Sequence, residues 1–165
     1  GAQGLSTFMS YYILKSIAMG GQTKQALQIM KDYYGGMLKR GATTFWEDFH
    51  MDWLNGSGRI DELPLKEEMD IHGDNGAFCY RGYRHSLCHG WASGPVPFLA
   101  EKVLGVEIME AGCKKIKIQP DLGDLKWVKG TYPTPYGILY IEHKKGVDGT
   151  VHTTYQAPKE IKVLI

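Results

Sequence analysis

Apolar residues recur at helical spacing along the first forty residues, and this pattern predicts two helices. The first helix has its N-cap at Ser6 or Thr7 and ends at Gly20-Gly21. The second begins at Thr23, carries a wide apolar face and ends at Gly41. Helices joined by so short a connection are expected to lie antiparallel. Because two helices alone bury too little apolar surface, the region is expected to be part of a larger helical assembly.

Residues 43 to 84 show no sustained period. The stretch is rich in glycine but also holds seven aromatic residues, which argues against disorder. A loop of this length in a compact domain is typical of a functional loop.

A third helix is predicted from near Ser93 to about Gly105. Pro95 and Pro97 fall in its first turn, where backbone N–H groups have no partner within the helix, so the missing N–H of proline costs nothing there.

After Gly112 the apolar residues alternate, as they do in strands. Turn residues lie at 133–137 and at 146–149, where a hairpin is predicted. The predicted strands cover residues 114–118, 125–128, 138–143, 151–155 and 161–165. Helices followed by a run of strands predict two domains, residues 1–110 and 111–165, with a boundary near Glu110.

Size and charge narrow the function classes. A chain of 165 residues suits one medium domain or two small ones. Its 43% hydrophobic and 22% charged residues are ordinary for a globular protein. A net charge of +1 gives no electrostatic footprint for nucleic acid, and no apolar run reaches the ~20 residues of a membrane span, so neither partner is expected. The chain starts with Gly1 rather than Met, and it is expected to be cut from a longer chain whose targeting segment lay upstream.

No metal or cofactor is expected from the residue pattern. Cys79, Cys88 and Cys113 form no CxxC pair and are read as buried free thiols. His85 and His89 stand four residues apart and could share a helix face, but no third ligand accompanies them. An acid-rich stretch at residues 61–74 could hold calcium; it lacks the alternation of an EF-hand loop, and a solvated surface is favoured.

Two residues are candidates for sugar chemistry. Glu47 lies just past a predicted helix end between Trp46 and Phe49, and apolar cover of this kind makes a carboxylate a better base. The competing interpretation is a solvated loop acid beside core aromatics. His89, between small and aromatic neighbours, could donate to a sugar hydroxyl, or it could be a hydrogen-bonded structural histidine. The chain is also rich in aromatics, with 10 Tyr and 4 Trp, whose faces pack against sugar C–H groups as well as in cores.

Four segments, in order along the chain, resemble the C-terminal end of bacterial α-L-rhamnosidases of glycoside hydrolase family 78. They are GATTFWEDF at 41–49, SLCHGWASGP at 86–95, VLGVE at 103–107 and CKKIKIQPDLGDLKWVKGTYPTPYGIL at 113–139. The resemblance implies an α+β chain: the last helices of an (α/α)6 barrel, followed by a C-terminal antiparallel β-sandwich. It also implies an inverting hydrolase, in which one carboxylic acid protonates the leaving oxygen and another carboxylate activates water.

By the same resemblance, Glu47 is the general base, His89 contacts the sugar, and Trp46, Trp53 and Trp91 are candidate walls for the sugar ring. The family's general acid belongs to a cluster in the early barrel, upstream of Gly1, so the chain alone is expected to be inactive. The stretch between Glu47 and His89 is longer than in many members, so the loop over the site is expected to differ.

The resemblance further implies the partners. They are a rhamnose-containing glycoside or polysaccharide and the remainder of the parent enzyme, and surface that faces the barrel could drive self-association. The parent is expected to be periplasmic or extracellular rather than cytoplasmic. Two alternatives stay open: a non-catalytic carbohydrate-binding or structural module, and another (α/α)6-barrel carbohydrate enzyme.

Overall fold

The computed structural model describes residues 1–62 and 86–165. The chain begins with two helices. Helix α1 spans Ser10–Met19 and helix α2 spans Thr23–Lys39. The predicted cap at Ser6 is confirmed, because its hydroxyl oxygen accepts a hydrogen bond from the Met9 N–H at 3.1 Å. The predicted loop at 43–84 lies partly outside the described residues, as do most of the acid-rich stretch, Cys79 and His85.

The predicted end of α2 at Gly41 is also confirmed. Gly41 adopts a φ of +84°, which an L residue with a side chain rarely takes. Its N–H donates to the Leu38 carbonyl at 3.0 Å, and the Ala42 N–H donates to the Met37 carbonyl at 3.1 Å. This paired arrangement satisfies carbonyls of the last turn and turns the chain sharply towards residues 43–49.

The third predicted helix is present but short and irregular. Helix α3 spans Pro95–Phe98 and passes directly into a π-helical turn at Leu99–Val103. The Leu104 N–H closes that turn by donating to the Leu99 carbonyl at 2.8 Å. The chain then leaves the helix at Gly105, as predicted, and enters the first strand.

Six strands form two three-stranded sheets within residues 106–164. Their bounds are β1 Val106–Ile108, β2 Lys115–Ile118, β3 Trp127–Thr134, β4 Gly137–Lys145, β5 Val151–Gln156 and β6 Lys162–Leu164. Strands β3, β4 and β5 are an antiparallel meander, and β1 pairs antiparallel with β2. Strands β2 and β6 run parallel, so one sheet is mixed rather than wholly antiparallel. The α+β class with a β-rich C-terminal part is confirmed.

The strand prediction differs from the structure in three places. The sequence pattern does not predict strand β1. The strand predicted at 125–128 begins at Trp127 and continues to Thr134. The turn predicted at 133–137 is therefore shorter, because Pro133 and Thr134 still pair with Ile138 and Gly137. The hairpin turn predicted at 146–149 is confirmed between β4 and β5, where the Gly146 N–H donates to the Thr150 carbonyl at 2.7 Å. No helix among the described residues combines the length and apolar character of a membrane span.

Residue contacts divide the chain into two compact units. Unit 1 comprises Gly1–Leu14 and Ala26–Pro95, and unit 2 comprises Lys15–Gln25 and Val96–Ile165. The domain boundary predicted near Glu110 stays a prediction. In unit 2, alternate residues of β2 and β4 point into one core, whose buried members are Leu104, Val106, Cys113, Ile116, Ile118, Leu139, Ile141 and Ile161.

The same alternation along β4 places a histidine in the interior of unit 2. His143 follows Leu139 and Ile141 on β4 and is 0% exposed. Its Nε2 lies 3.0 Å from the Leu104 carbonyl oxygen, which can only accept, so Nε2 carries the proton. Its Nδ1 lies 2.9 Å from the Thr153 hydroxyl and accepts from it. Burial lowers the pKa of His143, while the bond to Leu104 works in the opposite direction.

Because its pKa is lowered on folding, His143 binds its proton more readily in the unfolded chain. Its stabilising effect is therefore complete above about pH 6.5, the unfolded pKa, and is lost as pH falls from there through the folded pKa. We expect His143→Gln to flatten the decline in the free energy of unfolding below pH 6.5, by at most ~1.4 kcal/mol per pH unit. Urea unfolding between pH 5 and pH 8 measures this. Parallel curves for wild type and His143→Gln would contradict the prediction.

Candidate active site around Glu47

Two separate segments of unit 1 meet through their main chains. The Glu47 N–H donates to the Ser86 carbonyl at 2.8 Å, and the His89 N–H donates to the Phe45 carbonyl at 2.8 Å. The Thr44 hydroxyl adds a hydrogen bond to the Leu87 carbonyl. Residues 44–47 and 86–89 thus lie side by side, although 38 residues separate them along the chain. The structure therefore brings the Glu47 and His89 segments together.

The Glu47 side chain is half-buried, and its orientation is fixed at one oxygen. The Ser86 N–H donates to Glu47 Oε2 at 2.9 Å. A carboxylate has about four lone-pair positions, so one amide donor leaves it able to accept from a water molecule as well. Glu47 is therefore an oriented carboxylate with remaining capacity to accept a proton, as a general base requires.

The main-chain carbonyl of Glu47 is held independently of its side chain. Trp91 Nε1 donates to this carbonyl at 3.0 Å, and the Thr7 hydroxyl donates to the same oxygen. Thr7 comes from the segment before α1, whereas Trp91 lies in a 3-10 turn at Gly90–Ala92. Three parts of unit 1 therefore converge on the backbone of one residue.

Trp91 also connects Glu47 to His89. The His89 and Trp91 rings lie 4.3 Å apart between centroids, with an angle of 55° between their planes. Phe8 packs edge-on against Trp91 at 5.9 Å, and Tyr12 lies 6.1 Å from Phe8. Phe8, Tyr12 and Trp91 are 49%, 53% and 51% exposed, so the rings of these three residues are accessible.

The other two tryptophans named from the sequence have a different setting. Trp46 and Trp53 are 0% and 1% exposed. Both rings pack edge-on against Phe49, with distances between ring centroids of 5.9 Å for Trp46 and 6.0 Å for Trp53. Tyr33 closes this core by donating its hydroxyl proton to the Phe49 carbonyl at 2.6 Å. Of the three predicted sugar walls, only Trp91 presents an accessible ring; the role suggested for Trp46 and Trp53 stays a prediction, which would require a sugar to reach into the core.

Burial raises the pKa of the two adjacent tyrosines in this core. For Tyr33 the pKa is raised above the usual range of phenols, first by burial and then by the nearby Asp48 carboxylate. For Tyr34 burial also raises the pKa, while a hydrogen bond with the Ser10 hydroxyl opposes the shift. Both phenols therefore stay neutral at physiological pH and act as hydrogen-bonding groups. Tyr33 binds the loop that carries Glu47 through the Phe49 carbonyl, whereas Tyr34 binds the Ser10 hydroxyl.

Sequence reasoning did not single out Thr7, Phe8 or Tyr12 as part of a site. Phe8 and Tyr12 stand four residues apart and fall on the apolar stripe of the predicted first helix, where aromatic residues normally mark a core. Their exposure shows that this part of the stripe is not covered within the described chain. A threonine next to a helix cap gave no signal of its own, because capping explains such a residue fully.

Cation ligands are not assembled in the parts of the chain that are described. Across residues 1–62 and 86–165, no group of three or more His, Cys, Asp and Glu side chains is placed to hold a metal ion. Of the suggested pair of His85 and His89, His85 lies outside those ranges. Cys113 is buried, as predicted for a free thiol, whereas Cys88 is exposed and so differs from that expectation.

Comparison with known proteins finds a family similar to the C-terminal part of the chain. Residues 105–165 match the family described as bacterial alpha-L-rhamnosidase C-terminal domain. No curated protein sequence matches the chain.

Solved structures extend the likeness to almost the whole chain. The family 78 rhamnosidase of Bacillus sp. GL1 is 25% identical, with a TM-score of 0.70 over 96% of this chain and 14% of its own. The α-L-rhamnosidase of Dictyoglumus thermophilum shares the fold at 23% identity, with a TM-score of 0.63 over 93% of this chain and 15% of its own. The resemblance to the C-terminal part of family 78 rhamnosidases, predicted from the four motifs, is confirmed. The chain spans about a seventh of the length of these two relatives.

Proposed function

We propose that this chain is the C-terminal part of an inverting α-L-rhamnosidase, to which it contributes Glu47 as the general base and His89 as a sugar-binding residue. The observation that carries the proposal is the pairing of residues 44–47 with 86–89, which sets an oriented carboxylate and an imidazole on adjoining segments. In the longer enzyme, α1 and α2 would be the last helices of an (α/α)6 barrel. The substrate would be a glycoside or polysaccharide that ends in α-L-rhamnose.

Glu47 would accept a proton from the water that attacks the anomeric carbon. The Ser86 N–H holds one carboxylate oxygen, so the other oxygen can face that water without a search over side-chain rotamers. His89 would donate to a sugar hydroxyl, and the exposed face of Trp91 would contact the apolar face of the ring. Each group acts by position, so the reaction depends on how rigidly this part of unit 1 holds them.

Inversion requires a second carboxyl group. In inverting enzymes the acid and the base are about 6.5–9.5 Å apart, which leaves room for the attacking water. We place the acid in the part of the enzyme upstream of this chain, consistent with the small share of the relatives that the chain covers. We therefore propose that the chain alone does not hydrolyse rhamnosides.

A small anion distinguishes a general base from other roles of Glu47. In the longer enzyme, Glu47→Ala removes the group that deprotonates water and leaves space at the same position. Azide needs no deprotonation, so we expect it to restore turnover of an aryl α-L-rhamnoside. The product would be the β-L-rhamnosyl azide, formed as the C–O bond to the leaving group breaks and the proton from the acid joins the leaving oxygen. Rates with and without azide, together with the product anomer by NMR, measure this.

Other results of the same experiment favour the alternatives. Undiminished hydrolysis by Glu47→Ala would assign the chain to a non-catalytic carbohydrate-binding or structural module. An azide product that retains the configuration of the substrate would indicate that the reaction in the barrel does not proceed by inversion. Azide should leave the wild-type rate unchanged, which is the matched control for non-specific effects of the anion.

A further inference from the structure

We infer that Thr7 and Trp91 are positioning residues for Glu47, and that Trp91 acts through its indole N–H rather than only as a wall for the sugar. The inference rests on the proposed role of Glu47 as base. It concerns what holds the base in place, and it assigns to Thr7 a function that no motif indicates.

The first observation is that both donors converge on one atom. Trp91 Nε1 lies 3.0 Å from the Glu47 carbonyl oxygen, and the Thr7 hydroxyl donates to the same oxygen. A carbonyl oxygen has two lone pairs, so the two bonds together fill its accepting capacity. With the Glu47 N–H bound to the Ser86 carbonyl, the main chain of this residue is held on both sides.

The second observation is that Thr7 is itself held by buried groups. Thr7 is 2% exposed, and its carbonyl accepts a proton from the Ser10 hydroxyl at 2.8 Å. Ser10 is 0% exposed and also hydrogen-bonds with the Tyr34 hydroxyl. The donor at Thr7 is therefore attached through buried hydrogen bonds to the first turn of α1 and to α2. Within unit 1, the orientation of Glu47 is tied to helices rather than to its own loop alone.

The third observation concerns Trp91. Its turn is closed by the Ala92 N–H, which donates to the His89 carbonyl at 3.1 Å, and its ring lies 4.3 Å from the His89 ring. One side chain thus contacts the backbone of the candidate base and the ring of the candidate sugar-binding residue. A purely apolar wall would need the ring but not the N–H, so the two roles predict different behaviour on substitution.

The substitutions that separate these roles are Thr7→Val and Trp91→Phe in the longer enzyme. Valine keeps the shape of threonine without the donor, and phenylalanine keeps an apolar ring without the N–H. A displacement of ~1 Å at a catalytic group can cost about 10²-fold, so we expect kcat to fall roughly tenfold for each, with KM within about twofold. Because both donors share one acceptor, the double variant should show coupling rather than simple multiplication of the two effects.

Conservative variants and controls make the result decisive. Thr7→Ser retains the hydroxyl and should keep kcat near that of the wild type. Unchanged kcat in Trp91→Phe, or a rise in KM alone, would overturn the inference and leave Trp91 as a sugar wall. If Thr7→Val lowers the melting temperature too far for activity to be assayed, the Trp91→Phe variant alone tests the inference, because Trp91 is half-exposed. Full activity in Glu47→Ala would instead refute the proposed function, so the two failures are distinguishable.

Discussion

Replacing Glu47 by glutamine in the longer enzyme is expected to lower kcat for an aryl α-L-rhamnoside by about 10²–10⁴-fold, the usual contribution of a general acid or base. The amide has nearly the same shape as the carboxylate, and its oxygen can still accept from the Ser86 N–H, so the local fold should be kept. What is lost is the ability to take a proton from water. Initial rates at saturating substrate measure the effect directly.

The neighbouring carboxylate provides the matched control. Asp48 Oδ1 accepts from the Phe49 N–H at 2.8 Å, a local bond that the amide oxygen of asparagine can also form. Asp48→Asn should therefore keep kcat within a few-fold of wild type. Equal losses in the two variants would mean that Glu47 is one structural acid among several and that the base lies elsewhere.

Part of the candidate site follows from local sequence, and part does not. The helix end at Gly41 is a local signal, and it correctly predicts that Glu47 lies in the loop just after a helix. The pairing of Glu47 with Ser86 joins segments 39 residues apart, and no periodicity encodes it. The resemblance to a family was needed to connect the two motifs before the structure showed that they touch.

Aromatic residues show why exposure is difficult to predict from a pattern. Trp46 and Phe8 are both large and apolar, and each lies where a core position is plausible, yet Trp46 is 0% and Phe8 49% exposed. Core packing and sugar contact use the same chemistry, so residue type cannot separate them. Burial depends on which parts of the chain come to lie over each ring, and that is a property of the tertiary structure.

The strands were predictable to the extent that each is long and alternates. Strand β4 has nine residues with a buried alternate face, and its prediction from 138 to 143 is confirmed within a few residues at each end. Strand β1 has three residues and is defined by its pairing with β2, so no local alternation marks it. The parallel pairing of β2 with β6 joins residues more than 40 positions apart and is equally invisible to local reasoning.

The second large effect is expected at Gly105, where the chain passes from the π-helical turn into β1. Its φ is +76°, and a Cβ at this position would lie 2.3 Å from the Gln119 carbonyl carbon and 2.4 Å from the Pro120 nitrogen. These are backbone atoms, so no side-chain rotation can relieve the clash. The Gln119 N–H also donates to the Gly105 carbonyl at 2.8 Å, which ties the two segments closely together.

Gly105→Ala should therefore add overpacking to the cost of a left-handed alanine, and we expect it to lower the free energy of unfolding by about 2–5 kcal/mol. Gly112 separates the two contributions, since its φ is +71° but a Cβ there would meet nothing within 4 Å. Gly112→Ala should cost only the conformational part, about 1–2 kcal/mol. Urea unfolding of both variants measures the difference. Similar losses would show that β1 can move away from residues 119 and 120 freely, and that the tight approach at Gly105 does not stabilise unit 2.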